Sequence, residues 1–162
     1  MIKLRIMEEA DIITIKNWPP YLPEFEELDY ALRSNGWLDE HRGKPDTRLY
    51  VAELDGEVIA FTLLSGTSAT EAEFRIALRA DKIGQGLGNP LTTMTLEKGF
   101  AEMQLGRIHL IVRKNNPRAI GLYKNLGFTE CGKCVKRVNG KQASFLNMAI
   151  TRKSMPDIEL TA

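Results

Sequence analysis

Ile2, Leu4 and Ile6 alternate with charged or polar neighbours, a period of two that predicts a half-buried strand. Glu8 to Trp18 reads as a short helix stopped by Pro19-Pro20. Residues 19–48 are the least regular stretch. Pro19, Pro20 and Pro23 break structure early, while Phe25, Leu28, Leu32 and Leu38 suggest a helix with a gap at Gly36. Leu49–Leu54 and Val58–Leu64 form a hairpin around Asp55-Gly56, a dipeptide suited to a two-residue turn. Ala72–Leu78 is a further strand.

Gly88-Asn89-Pro90 opens a helix with apolar positions at Leu91, Met94 and Phe100, Leu96 falling off the face, and an end near Gly106 as C′ residue. Ile108–Val112 is a strand. Residues 117–126 form a short helix capped by Asn116, with Pro117 in the favourable first position and Gly127 ending it. Cys134–Val138 and Ser144–Ile150 pair across Asn139-Gly140. The order β-α-α-β-β-β-α-β-α-β-β predicts an α/β domain with a mixed sheet of about seven strands and helices on both faces.

With 162 residues, 43% of them hydrophobic, the chain has enough apolar material for one core. A net charge of +1 from 22 basic and 21 acidic residues gives no reason to expect a nucleic-acid partner. The sequence has neither a secretory pattern nor an apolar run long enough for a bilayer, so the expectation is a soluble, cytoplasmic protein without a membrane partner. Cys131 and Cys134 are spaced C-x-x-C on extended chain, where residues three apart face opposite ways. His41 and His109 are far off in sequence, so no metal or redox site is expected.

Ile83-Gly-Gln-Gly-Leu-Gly88 is a glycine-dense turn directly before a helix. Glycines at 84, 86 and 88 leave room for a ligand, and the helix N-terminus offers unpaired amides to phosphate oxygens. No Gly-Lys-Ser/Thr follows, which excludes a Walker loop, and the glycine spacing does not fit the dinucleotide fingerprint. About thirty residues on comes Asn116-Pro-Arg-Ala-Ile-Gly-Leu-Tyr123-Lys-Asn-Leu-Gly-Phe128. In this order and separation the two motifs resemble those that bind acetyl-CoA in the GCN5-related N-acetyltransferases, the GNAT family. Within it, the pattern is similar to that of bacterial spermidine/diamine acetyltransferases and ribosomal-protein N-terminal acetyltransferases.

The resemblance implies a single GNAT domain over residues 1–153, with 154–162 a tail expected to fray. It implies acetyl-CoA as co-substrate, with the pyrophosphate on the amides of 84–88 and the arm between the strands at 72–78 and 108–112. Ile76, Leu78, Ile83, Gly84, Gln85, Gly86, Leu87, Gly88, Asn116 and Tyr123 are then the cofactor-binding candidates. Ile83 stands where the family has Arg or Gln, with Lys82 just before it as a substitute charge, and Pro90 has no N–H to donate.

Acetyl transfer to an amine expels a thiolate of pKa ~8.5, and a Tyr near ~10 is within reach as its acid. Tyr123 holds the position of the family's candidate acid; the plainer alternative is a core tyrosine. Glu73, in Ala-Glu-Phe on the strand before the glycine turn, is the candidate base. The alternatives are a solvated carboxylate paired with Arg75, or an ordered water as base. Trp18 and Trp37 are read as core. Glu24, Glu26, Glu27, Asp29, Asp39 and Glu40 would attract a cationic acceptor, a small-molecule amine or a protein N-terminus, although Arg33, Arg42, Lys44 and Arg48 dilute them. A homodimer is compatible with the family, and a non-catalytic acyl-CoA sensor is the alternative to an enzyme.

Overall fold

The computed structural model describes residues 1–138 and 140–154, apart from the side chains of Glu26 and Glu27. Seven strands form one mixed sheet in the order β1-β2-β3-β4-β5-β7-β6. They are β1 (Ile2–Ile6), β2 (Thr47–Leu54), β3 (Glu57–Gly66), β4 (Glu71–Leu78), β5 (Arg107–Arg113), β6 (Thr129–Val138) and β7 (Lys141–Thr151). Four α-helices accompany them: α1 (Glu9–Lys16), α2 (Trp37–His41), α3 (Gly88–Glu102) and α4 (Pro117–Leu126). The element order is the one the hydrophobic pattern predicts, in a single α/β domain. Within it the chain gathers into two compact units, one of Met1–Ser65 with Arg75–Thr95, the other of Gly66–Phe74 with the described residues from Leu96 onward.

In the first unit, Asp55 and Gly56 both have positive φ, 52° and 81°, as the tight turn between β2 and β3 requires. Arg5 of β1 joins Asp11 of α1 at 2.7 Å to Glu53 of β2 at 2.6 Å. That carboxylate of Asp11 also accepts the Glu8 amide at 2.7 Å, closing the start of α1. Trp37 packs on Phe61 with centroids 4.9 Å apart, among Ile15, Leu38, Val51 and Leu63. The reading of Trp37 as core is borne out.

The helix expected across Phe25 to Leu38 is instead a 3₁₀ segment, Pro23–Ala31, followed by the short α2. The reason lies between them. Asn35 is left-handed with φ 62°, and Gly36 approaches the Tyr30 carbonyl so closely that a Cβ would sit 1.9 Å from it. Leu28, expected on a buried face, is exposed.

α3 corrects two further expectations. Its buried positions are Leu91, Thr92, Thr95, Leu96, Gly99 and Phe100, so Leu96 lies on the buried face and half-buried Met94 beside it. The helix ends at Glu102, and the left-handed residue is Gln104, φ 54°. Gly106 is not the C′ residue, because its amide already donates to Thr70 at 2.8 Å and leads into β5.

In the second unit, β4 and β5 run parallel, with pairs Glu71↔Arg107, Ala72↔Ile108 and Glu73↔His109. α4 has the predicted bounds. The Asn116 side chain accepts the Ala119 amide at 3.1 Å, and Gly127 takes φ 109° at the C-cap. β6 and β7 pair antiparallel from Thr129↔Ala149 to Val138↔Lys141. Asn139, half of the expected turn dipeptide, lies outside the described residues, as do residues 155–162 of the expected tail. Cys131 sits at a register shift between Glu130 and Gly132, and the Cys134 thiol donates to Asn147 at 3.2 Å.

Candidate functional site

The glycine turn lies wholly in the first unit. β4 ends at Leu78, a 3₁₀ turn spans Ala80–Lys82, and Ile83 is its half-buried C-cap. Gly84 and Gly86 both take positive φ, 82° and 75°, a region costly for a side chain. Gly88 is the first residue of α3, whose first intrahelical bond runs from the Leu91 amide to the Leu87 carbonyl at 3.1 Å. Among the described residues, no group accepts a hydrogen bond from the amides of Gly84, Gln85, Gly86, Leu87 or Gly88. They form a row of donors at the positive end of a helix, which fits a pyrophosphate. Gln85 holds the turn by donating its side-chain amide to the Asp81 carbonyl at 2.8 Å.

Ile76 and Leu78 are half-buried on β4. The Leu78 carbonyl accepts the Tyr21 hydroxyl at 2.6 Å, and burial, then nearby Asp29, push that phenol's pKa up. Tyr21 was not legible as a partner of this strand, because it comes from the irregular stretch after Pro19-Pro20. Arg75 stacks its guanidinium 5.8 Å over the Trp37 ring. Three of the acidic residues expected to attract a cation already have partners, and the side chains of Glu26 and Glu27 lie outside those described. Asp29 pairs with Arg33 at 2.8 Å, Glu40 accepts from Tyr30 at 2.9 Å, and Lys16 bonds Asp39 at 2.9 Å and holds its carboxyl below the usual range.

The candidate acid and base both belong to the second unit. Tyr123 of α4 is buried, its ring edge-on to Phe74 at 6.5 Å and to Phe128 at 5.5 Å. Burial pushes its phenol up to about 12, and among the described residues its hydroxyl has no hydrogen-bond partner. Glu73 precedes Phe74, so β4 alternation turns it to the opposite face, where it is half-exposed. Glu73 and the Phe74 ring that Tyr123 meets therefore lie on opposite faces of one strand. Asn116 spends its side-chain oxygen on the α4 cap, which orients the helix that carries Tyr123.

His109 stands beside the candidate base Glu73 without having been singled out from the sequence as part of the site. It is the register partner of Glu73, half-buried, with Nε2 3.1 Å from the Thr67 hydroxyl. The outward position of His109 within Ile-His-Leu-Ile-Val was readable; the parallel register that sets it beside Glu73 was not. Among the described residues no cluster of His, Cys, Asp and Glu could hold a metal, and no helix is long and apolar enough to cross a membrane.

Residues 10–128 match the acetyltransferase (GNAT) family, to which the chain therefore belongs. Over 158 residues it is 30% identical to the spermidine N(1)-acetyltransferase of Escherichia coli, a match covering 92% of this chain and 85% of that enzyme. The fold is similar to the Vibrio cholerae spermidine N-acetyltransferase in complex with CoA and spermine, with a TM-score of 0.79 and 24% identity over 94% of this chain and 96% of that one. It is also similar to a chimera of that enzyme with hSSAT, with a TM-score of 0.75 and 26% identity over 94% and 96% of the two chains. The protein is an acetyl-CoA-dependent N-acetyltransferase, and acetyl-CoA is its co-substrate.

Proposed function

We propose that the protein acetylates a primary amine of a polyamine of the spermidine type, in the cytoplasm, by direct attack on the thioester. Glu73 receives the amine's proton and Tyr123 donates to the leaving sulfur. One observation carries the assignment of roles: Glu73 is half-exposed on β4 where it can meet an incoming amine, and its chain neighbour Phe74 packs against buried Tyr123. Direct attack requires a base on the nucleophile's side and a donor on the leaving group's side. The name of the Escherichia coli relative supports the acceptor class.

The cofactor's pyrophosphate takes the amides of Gly84 to Gly88, with Ile83 and Gln85 shaping the turn. Its arm runs along β4 at Ile76 and Leu78. A polyamine nitrogen of pKa ~10.4 is free in only about one molecule in 2,500 at pH 7, so a base has a large effect on it. For Tyr123 the magnitudes favour a hydrogen bond over full proton transfer. With its phenol near 12 and a CoA thiol near ~8.5, handing over the proton is uphill by about 5 kcal/mol. A neutral phenol still stabilises the charge growing on sulfur in a dry site.

The test is release of free CoA thiol with spermidine, a peptide with a free α-amine, and a neutral amine as acceptors. Spermidine is expected to turn over fastest and to keep gaining rate above pH 8, whereas an α-amine levels off near its pKa of ~7.7–8.0. Preference for the peptide would move the assignment to a protein N-terminus. Preference for the neutral amine would remove any role for acceptor charge.

A further inference from the structure

Glu73 and His109 occupy one row of the β4–β5 ladder, about 4.8 Å apart along the hydrogen-bonding direction. Their neighbours Ala72, Phe74, Ile108 and Leu110 are all buried, so the two polar side chains share the opposite, half-exposed face. Thr67 reaches the same place from the turn after β3. Its amide bonds the Glu71 carbonyl at 2.9 Å, and its exposed hydroxyl meets His109 Nε2 at 3.1 Å. The row thus runs from a carboxylate through an imidazole to a hydroxyl in solvent.

We propose that His109 is a positioning and proton-relay residue for acetyl transfer, orienting the Glu73 carboxylate and passing to solvent the proton that Glu73 takes from the amine. The inference rests on the reading of Glu73 as base. In the first step the ammonium N–H bond breaks and its proton goes to a Glu73 oxygen, leaving the lone pair on nitrogen for attack. The Glu73 O–H bond then breaks, its proton going to Nδ1 of neutral His109. The imidazolium finally loses its Nε2 proton toward the Thr67 hydroxyl and water. No electrons are gained or lost, and both protein groups return to their starting forms. The relay uses the tautomer in which Nε2–H donates to Thr67 and Nδ1 accepts.

The surrounding charges suit a neutral imidazole. Burial lowers the His109 pKa, with Glu73 and Glu71 pulling it up and Arg107 pushing it down. Glu71 and Arg107 pair with each other at 3.4 Å, which leaves Glu73 as the charge that His109 senses most directly. Ala149 lies opposite His109 on β7, and Thr129 lies beyond it on β6; neither titrates. Neutral His109 is therefore lost as pH falls through its lowered pKa.

The experiment has two arms. In the first, kcat/KM for spermidine is measured against pH for the wild type, Glu73→Gln and His109→Gln, with CoA affinity measured in parallel. His109→Gln is expected to lower kcat about 10-fold near pH 7, to move the acid limb to lower pH, and to leave CoA affinity unchanged. A full-rate Glu73→Gln would overturn the base reading and the relay together. An inactive Glu73→Gln beside a His109→Gln profile that superimposes on the wild type would overturn the relay alone. The second arm needs no turnover. The chain has two histidines, so His41→Gln assigns the His109 ring resonances in a proton-NMR titration. Glu73→Gln should lower the His109 pKa, and an unmoved titration would contradict the pairing.

Discussion

The glycine turn and the proposed catalytic side chains Glu73, His109 and Tyr123 are built from different parts of the chain. The turn presents main-chain amides, and its sequence needs only residues that tolerate positive φ at 84 and 86 and a helix that begins at 88. Ile83, in the family's Arg/Gln position, leaves those main-chain amides in place. The second group is made of side chains, and each depends on an exact neighbour: Tyr123 on Phe74, Glu73 on the β5 register, His109 on Thr67. A change of one residue should therefore act on affinity in the first region and on rate in the second.

The largest expected effect is that of Glu73→Gln, with kcat for spermidine falling at least 10²-fold at neutral pH while the CoA Kd from calorimetry holds. A weakened Kd would show that the rate region also binds cofactor. Next is alkaline stability. Tyr123 has a folded pKa of about 12, above its unfolded value near 10, so the stability from its burial is complete below pH 10 and disappears as pH rises through 12. Chemical denaturation should show the wild type losing about 2–3 kcal/mol more than Tyr123→Phe over that window; equal losses would mean that the phenol is not buried in solution. Gly86→Ala meets open space but must adopt a φ of 75°, a cost of about 1–2 kcal/mol. The CoA Kd should rise roughly 5- to 30-fold with kcat near wild type, and a kcat loss at unchanged Kd would reverse the assignment of the turn. The smallest effect belongs to Tyr21→Phe, which deletes one hydrogen bond to Leu78 and should cost about 1 kcal/mol in unfolding free energy. Weakened CoA binding in that variant would bring a side chain into the affinity region and blur the contrast.

The same contrast decides what was legible in the sequence. Strands β1 to β5, the Asp55-Gly56 turn, α4 with its Asn116 cap and the glycine turn are local consequences of period, capping and positive-φ residues, so one sequence carries them. The segment before β2 failed because a long-range approach, Gly36 against the Tyr30 carbonyl, overrode its helical spacing. Leu96 was misplaced because the buried stripe of α3 includes threonines and a glycine, which hydrophobicity alone does not mark. Glu73 and Tyr123 are candidates through their motifs, and His109 through the structure alone. Its significance comes from a parallel pairing between strands more than thirty residues apart, and nothing local encodes that.

The central claim, that cofactor affinity resides in the backbone turn and chemistry in the side-chain group, is tested most directly on Tyr123→Phe by measuring kcat with spermidine and the calorimetric CoA Kd on the same preparation. The account predicts a kcat lowered about 10²-fold or more with Kd within twofold of the wild type. An unchanged kcat, or a Kd that weakens in proportion to the rate, would contradict it.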